Sequence, residues 1–502
     1  MPRFTPLPRM PRPAGSTGIR RAATSRCLVP TTLTLAIALA MAGCATPVAK
    51  PAVDVPTHYA AAAESADEPE VAWWESYGDP VLSDLVRRAA RENRDVKIAA
   101  ERVRAARAGQ TISRSWLLPS IGVSASGIDQ RTGYSGATKQ LLPDIKGGGA
   151  GVDISWELDL SGRLRAGAAA AAADTLASEH GAQGVRMLVM TDVATNYFTL
   201  IGAQRQLETV RAISEAQDET LRLVTARRRA GLATPFDVER AQTEVSRAHA
   251  AIPPLETLVA VSRHRIAVLV GDQASNAAVI VPWSGDVAVP AARSGQPAAL
   301  LQRRPDLLAA KAQLDAANAR RQQAEAEWFP RLFVGALLGR QDLELNGFDV
   351  GAARFTNVAG LLAMPVFNAG RTRAINDIAE SAQSEAVISY ENAIVRALED
   401  VENSLVALGA ERQRADSLHE AAASADAALA RAQSLYDRGQ IDLLPLLDAQ
   451  RTRLVVRLGA NESNTQLLLD SVQLYKALGG GWQAFEPASE PGVAATATSP
   501  QS

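Results

Sequence analysis

Cysteine is almost absent from this 502-residue chain: only Cys27 and Cys44 occur, too few for a disulfide framework or a structural zinc site. Aromatic side chains make up only 5%, which argues against a compact enzyme core filled by Phe and Trp and suits long helices packed through small side chains. No charge of one sign dominates. The 52 Lys and Arg face 54 Asp and Glu, so no global field points to a nucleic-acid partner. Five histidines (His58, His180, His249, His264, His419) show no ligand spacing. No phosphate-binding G-x-x-x-x-G-K-[ST] loop and no nucleophile elbow is present, so no catalysis, metal or cofactor is expected.

One short apolar run stands near the N-terminus. Arg20, Arg21 and Arg26 precede "LTLAIALAMAGCAT", too short for a spanning helix of about 20 apolar residues and suited to a secretory signal. Its end, Met41-Ala42-Gly43-Cys44, resembles the lipobox of bacterial lipoproteins, with Met where Leu is usual. On that reading residues 1–43 are the signal and Cys44 carries S-diacylglycerol and an N-palmitoyl chain, anchoring a tether over 44–70. No Asp follows the cysteine, which favours the outer membrane. The alternative is a plain signal with an incidental cysteine. The stretch before Leu33 is long for a signal, which suggests a start at Met10.

The body of the chain repeats itself at an interval of 208. Gly162-Arg163 matches Gly370-Arg371, Asp192-Val193 matches Asp400-Val401, Gly231 matches Gly439, Ala241-Gln242 matches Ala449-Gln450, and Gly271 matches Gly479. Repetition at one fixed offset marks a duplicated supersecondary unit. The expected division is a first repeat over 71–271, a connection over 272–302, a second repeat over 303–486 and a disordered tail over 487–502.

Each repeat reads as a helical segment, two strands, a very long helix, a glycine tip and a returning helix. Strands are expected near 119–128, 150–160, 331–339 and 356–366. "GVDISWELDL" alternates strictly, with Val152, Ile154, Trp156, Leu158 and Leu160 opposite Asp153, Ser155, Glu157 and Asp159. Such a strand fits a half-buried soluble sheet, or a membrane barrel with a wet interior. Four strands cannot close alone. Two copies would give eight, with a filled interior, and three would give twelve, with room for a channel. The long helices over 163–230 and 371–438 would each reach about 100 Å, far beyond an apolar membrane core of about 30 Å. They are also too charged to cross it. Shorter segments at 82–117 and 235–270 could stack end to end beside one long helix. Ile394, Leu398, Val401, Leu405 and Leu408 follow a coiled-coil seam, echoed by Met190, Val193, Tyr197 and Leu200.

Together these features resemble the TolC-type outer-membrane efflux proteins, of the lipoprotein branch that serves resistance-nodulation-division (RND) pumps. "WWESYGDPVLSDL" (73–85) is similar to the opening of that family, "QRRPDLLAAKAQLDAANAR" (302–320) carries its Arg-Arg-Pro-Asp signature, and "EWFP" precedes the third strand. "LYDRGQIDLLPLLDAQR" (435–451) resembles its second periplasmic tip. The match covers about residues 70–482. It implies a homotrimer with a twelve-stranded outer-membrane barrel, continued by a periplasmic α-helical barrel. A small mixed α/β girdle is implied near 71–81, 272–302 and 480–486. It also implies a passive, gated duct working with a periplasmic adaptor and an inner-membrane RND pump. A type I protein exporter channel and a non-conducting, lipid-anchored coiled coil are the other readings.

By the same resemblance the tips carry the gate. Asp237 lies six residues after Gly231, Asp448 nine after Gly439, and Tyr436 three before Gly439, the place of a latch tyrosine. Three copies of Asp448 would form a cation-attracting carboxylate ring. The place six after Gly439 is Pro445, so the second tip lacks the acid found there in relatives. The latch arginine of the family is replaced by Ile441, with Arg438 as a substitute. Gly231 and Gly439 are expected at helix C′ positions, and Arg227, Arg228 and Arg229 are candidates for adaptor contact. The plainer role for Asp237 and Asp448 is stabilisation of a helix N-terminus.

Overall fold

The computed structural model describes residues 51–61, 67–282 and 287–485. Cys44, the signal segment and the C-terminal tail lie outside them. After a turn at Trp73–Tyr77 the chain forms α1 (Pro80–Glu92), α2 (Arg94–Ser115), β1 (Ser120–Gln130), β2 (Ile145–Leu158), α3 (Arg163–Arg229) and α4 (Pro235–Leu269). The second repeat supplies α5 (Pro305–Glu325), β3 (Arg331–Leu345), β4 (Phe348–Ala363), α6 (Arg371–Asp437) and α7 (Leu443–Ala477). No described helix is long and apolar enough to cross a membrane.

The helices α3 and α6 each run 67 residues, about 100 Å. Their buried seams follow the expected ones: Met190, Val193, Tyr197 and Leu200 on α3, and Ile394, Val401, Leu405 and Leu408 on α6, with Leu398 half-buried beside them. Beside α3, the shorter helices α2 and α4 do stack end to end. The segment expected as one helix over 82–117 breaks at Asn93, because that side chain caps a new helix. Its Oδ1 accepts from Asp95 N at 2.7 Å, while its Nδ2 donates to Leu269 O at 2.8 Å, at the C-terminal end of α4. The second repeat makes the same joint with Arg304. Its guanidinium donates to Ala477 O at 3.0 Å, at the end of α7, and to the carboxylates of Asp306 and Asp400. The Arg-Arg-Pro-Asp motif is thus a helix joint, with Pro305 as the first residue of α5.

An aromatic core rings the level of these joints. Trp73 stacks on Tyr475 with centroids 5.3 Å apart, and Tyr77 lies 4.9 Å from Phe198. The Tyr197 hydroxyl donates to Asp79, whose other oxygen caps α1. The expected girdle is mainly short helical turns here. Its described extended residues carry one isolated bridge, at Arg293.

The strands form one antiparallel sheet in the order β1-β2-β3-β4, leaving β1 and β4 with free edges. They are longer than expected. β2 begins at Ile145 rather than near 150, because Gly147, Gly148 and Gly149 belong to the ladder. β3 continues to Leu345, and β4 starts at Phe348 and ends at Ala363, leaving Met364 and Val366 beyond it. Leu160 also falls outside its strand, and Asp159 caps α3 by accepting from Leu164 N and Arg165 N.

The register separates two faces. One carries Ile121, Val123, Val152, Ile154, Trp156, Leu158, Leu332, Val334, Leu338, Val358 and Leu362. The other carries Ser120, Ser124, Ser126, Asp153, Ser155, Glu157, Gln341 and Asn357, with Phe333, Leu337, Phe355 and Leu361 among them. The second face is concave, as its glycines show. A Cβ on Gly339 would stand 2.5 Å from Ala150 O, and one on Gly151 3.0 Å from Leu338 O. On the opposite face, a Cβ on Gly127 or Gly148 would meet nothing closer than 3.9 or 3.4 Å. The sheet therefore curls around its polar, small-residue side and turns its aliphatic side outward, as a membrane barrel requires.

Candidate functional site

The two hairpin tips are built alike. Each long helix ends in a Schellman motif: Gly231 N–H donates to Arg228 O and Leu232 N–H to Arg227 O, while Gly439 N–H donates to Tyr436 O and Gln440 N–H to Leu435 O. Gly231 and Gly439 have φ of +73° and +72°, a left-handed conformation that strains any side chain. The returning helices begin differently. Thr234 caps α4 in a full capping box: its N–H and hydroxyl donate to the Asp237 carboxylate at 2.8 Å, and Asp237 N–H donates back to Thr234 Oγ1. Those bonds from Thr234 hold the Asp237 carboxyl below its usual range. α7 starts at Leu443 after Asp442, which makes no side-chain cap, and Pro445 falls in the first turn, where no N–H is needed.

Asp448 stands apart from these duties. It is exposed on α7 beyond the first turn and makes no hydrogen bond or ion pair among the described residues. The two tip acids are therefore unequal: Asp237 is engaged in a cap, and Asp448 is free to face solvent.

Tyr436 is buried at 4% exposure in a small core with Val224, Ala241, Leu443, Leu446 and Leu447, drawn from all four tip helices. The guanidinium over its ring belongs to Arg227, at 4.6 Å from the centroid. Arg438 instead donates to Ser434 on its own helix. Sequence reasoning placed Arg227 only in a basic run with Arg228 and Arg229. Its partner is 209 residues away, and no local pattern signals it. A little above the tip, Gln450 Nε2 donates to Thr220 Oγ1 at 2.9 Å, so a buried polar contact also joins α7 to α3.

At the other end the sheet meets the helices through charge. Arg163, opening α3, donates to both oxygens of Glu157 at 2.8 Å and lies near Glu327, which pairs with Arg331 at the start of β3. Trp116, Trp156 and Trp328 are exposed at this same end of the strands. Exposed tryptophans beside an aliphatic band mark a membrane–water boundary. The concave side encloses about 740 Å³, lined by residues such as Ser124, Ser126, Gly149, Gly151, Gln341 and Phe355. Among the described residues no group of three or more His, Cys, Asp or Glu could hold a metal ion.

An extended strap ahead of the first repeat packs against the second. Ala52 N–H donates to Glu391, Ala60 and Ala61 N–H donate to the two oxygens of Glu402, and Tyr59 is buried with Ile394, Val401 and Leu405. Residues 51–61 thereby lie along α6.

Comparison with known proteins agrees with this architecture. The Outer membrane efflux protein family matches over residues 85–272 and 297–480. The chain is 33% identical over 426 residues to the pyoverdine export outer membrane protein OpmQ of Pseudomonas aeruginosa, covering 82% of this chain and 88% of that protein. It is 32% identical to the toluene efflux pump outer membrane protein TtgI of Pseudomonas putida, with 82% and 88% covered. It is 27% identical to the probable outer membrane lipoprotein SilC of Salmonella typhimurium, again with 82% and 88% covered. Among solved structures, the outer-membrane channel OprN superposes with a TM-score of 0.77 at 29% identity, covering 87% of this chain and 100% of that one.

Proposed function

This chain belongs to the outer membrane efflux protein family, and from that premise we propose that it is the passive exit duct of a tripartite RND-type pump. It is an outer-membrane efflux channel. The observation that carries the duct is the curled four-stranded sheet with an aliphatic convex face and two free edges. Open edges are not tolerated in lipid, so β1 and β4 must pair with further copies. Three copies close twelve strands around a lumen lined by the polar concave face. The six long-helix hairpins of that trimer continue the lumen through the periplasm.

Energy for export comes from an inner-membrane pump, reached through a periplasmic adaptor that docks at Gly231 and Gly439 and the flanking Arg229 and Arg438. The duct itself carries out no chemistry. Asp448 forms the selectivity ring at the periplasmic aperture, because, of Asp237 and Asp448, it is the one with no structural partner. Tyr436 and Arg227 hold the two hairpins together, and adaptor binding opens the aperture by favouring the state in which they part.

Cys44 carries the lipid anchor. Two features support this: the lipobox-like sequence and the reach of the strap. Cys44 lies eight positions before Ala52, a stretch of chain that can extend about 28 Å. Ala52 is held by Glu391, twenty residues and about 30 Å along α6 from Arg371, at the membrane side. That length of chain is enough for an acylated cysteine to reach the inner leaflet.

Single-channel recording in planar bilayers tests the gate. A correctly trimeric Asp448→Ala protein is expected to lose cation selectivity, and unchanged conductance and selectivity would overturn the assignment. Radiolabelled palmitate is expected to label the wild type but not Cys44→Ser, which still forms heat-resistant trimers through its barrel.

A further inference from the structure

The convex face of the sheet changes character abruptly at one level. Arg340 on β3 and Arg354 on β4 are direct cross-strand partners and point outward with Leu338, Thr356 and Val358. Both are exposed, and neither makes a hydrogen bond or ion pair among the described residues. Like charges directly opposite each other in a sheet are destabilising, so an unpartnered arginine pair on a membrane face asks for an anion.

Their height identifies the anion. Each arginine lies nine residues from the helix-side end of its strand, Arg331 for one and Ala363 for the other. Nine residues rise about 30 Å along a strand, or about 23 Å along the membrane normal at a tilt near 40°, against an apolar band about 25 Å tall. The exposed tryptophans Trp116, Trp156 and Trp328 bound the band at its periplasmic edge. Arg340 and Arg354 therefore sit at its outer edge, where acyl chains give way to headgroups. The other charges on this face, Asp342, Glu344, Asp349, Asp129 and Lys146, lie at least one rung farther out.

We propose that Arg340 and Arg354 form a binding site for a phosphorylated glycolipid of the outer leaflet, gripping its phosphate while its acyl chains lie on Leu338 and Val358. Guanidinium forks suit phosphate geometry, and two converging on one group relieve the repulsion between them. The site requires the convex face to meet lipid, as in an outer-membrane barrel, and is separate from the conducting path.

The probe is bis-phosphorylated lipid A added to the delipidated, detergent-solubilised trimer, with bound lipid counted by native mass spectrometry. The same lipid stripped of its phosphates, and inorganic phosphate alone, serve as comparison ligands. The wild type is expected to retain the phosphorylated lipid, with the phosphate-free lipid and inorganic phosphate at least tenfold weaker. The double variant R340Q/R354Q is expected to bind it about tenfold or more weakly, since it loses the charged hydrogen bonds to the phosphate. R340K/R354K recovers part of the affinity, and K146Q leaves it unchanged. Equal retention by R340Q/R354Q, or equal binding of phosphate-free lipid, overturns the site. Inorganic phosphate binding as tightly as the lipid does so too. Should the double variant fail to trimerise, R354Q alone, on the edge strand, carries the same comparison. Bilayer conductance of the same wild-type preparation shows independently whether the channel itself is formed.

Discussion

The guanidinium carbon of Arg227 lies 4.6 Å above the ring of Tyr436, fastening the last turns of α3 and α6 to each other. Both residues sit at the end of a 67-residue helix, where the rest of the hairpin offers little packing beyond one small apolar cluster. A contact there governs how easily the tips separate. A cation over an aromatic face contributes about 0.5–2 kcal/mol, which corresponds to a shift of about 2- to 30-fold in a two-state tip equilibrium. Arg227→Ala is expected to raise the open probability of the reconstituted channel by that factor, with Arg227→Lys falling between. Unaltered gating in a trimeric Arg227→Ala channel would count against the clamp.

The two tip acids should respond differently to neutralisation. Asp237→Asn is expected to lower the stability of the first tip, since it breaks the capping box with Thr234. Thr234→Ala should do the same, at a cost of about 1 kcal/mol read as faster hydrogen exchange in the first turns of α4. Neither should alter ion selectivity, which Asp448→Ala should.

Acid should loosen the first tip only at low pH. The bonds from Thr234 depress the folded pKa of Asp237. A depressed carboxylate stabilises the folded state above its unfolded pKa of about 3.9 and loses that contribution as pH falls through the lower folded value. Protection in the first turns of α4, taken relative to the intrinsic exchange rate at each pH, is therefore expected to be flat from neutral pH to about 5 and to fall only below about 4. Thr234→Ala should weaken this acid dependence, since it keeps the backbone N–H bond to Asp237, and Asp237→Asn should abolish it.

The helix joint at Arg304 is expected to be sensitive. Its guanidinium satisfies Ala477 O and Ala397 O in a buried position, with Asp306 and Asp400 as half-exposed partners. Arg304→Ala leaves the Ala477 carbonyl unpaired, at about 1–3 kcal/mol, while Ala397 O keeps its bond within α6, and should lower the melting temperature of the trimer. Arg304→Lys should retain part of the loss, because one ammonium cannot reach both sets of acceptors.

Curvature of the sheet makes a contrast between glycines. Gly339→Ala would press a methyl against Ala150 O and Phe355 on the concave side, whereas Gly127→Ala points into open space on the convex side. The first should reduce the yield of heat-resistant trimers, and the second should leave it intact.

Much of this protein is written in local pattern. The 208-residue duplication, the heptad seams around Val193 and Val401, the two 67-residue helices and their glycine tips all follow from spacing along one helix face or from backbone chemistry at one residue. Strand bounds were less legible. The second strand, expected near 150–160, extends back through Gly147, Gly148 and Gly149, where glycine carries no apolar–polar alternation; on the concave side Gly147 and Gly149 leave room for the curl of the sheet. A helix break at Asn93 was equally hidden, since its cause is a bond to Leu269, 176 residues distant.

What the sequence alone determined, then, is the inventory of elements and the family they resemble, because helix periodicity, strand alternation and left-handed glycine are properties of neighbouring residues. Only the tertiary structure decided which charges have partners. It bound Asp237 into a cap and left Asp448 free, moved the Tyr436 contact from Arg438 to Arg227, and aligned Arg340 with Arg354 at one height on the lipid face. Those pairings depend on packing between segments far apart in the chain, and no periodicity within either segment encodes them.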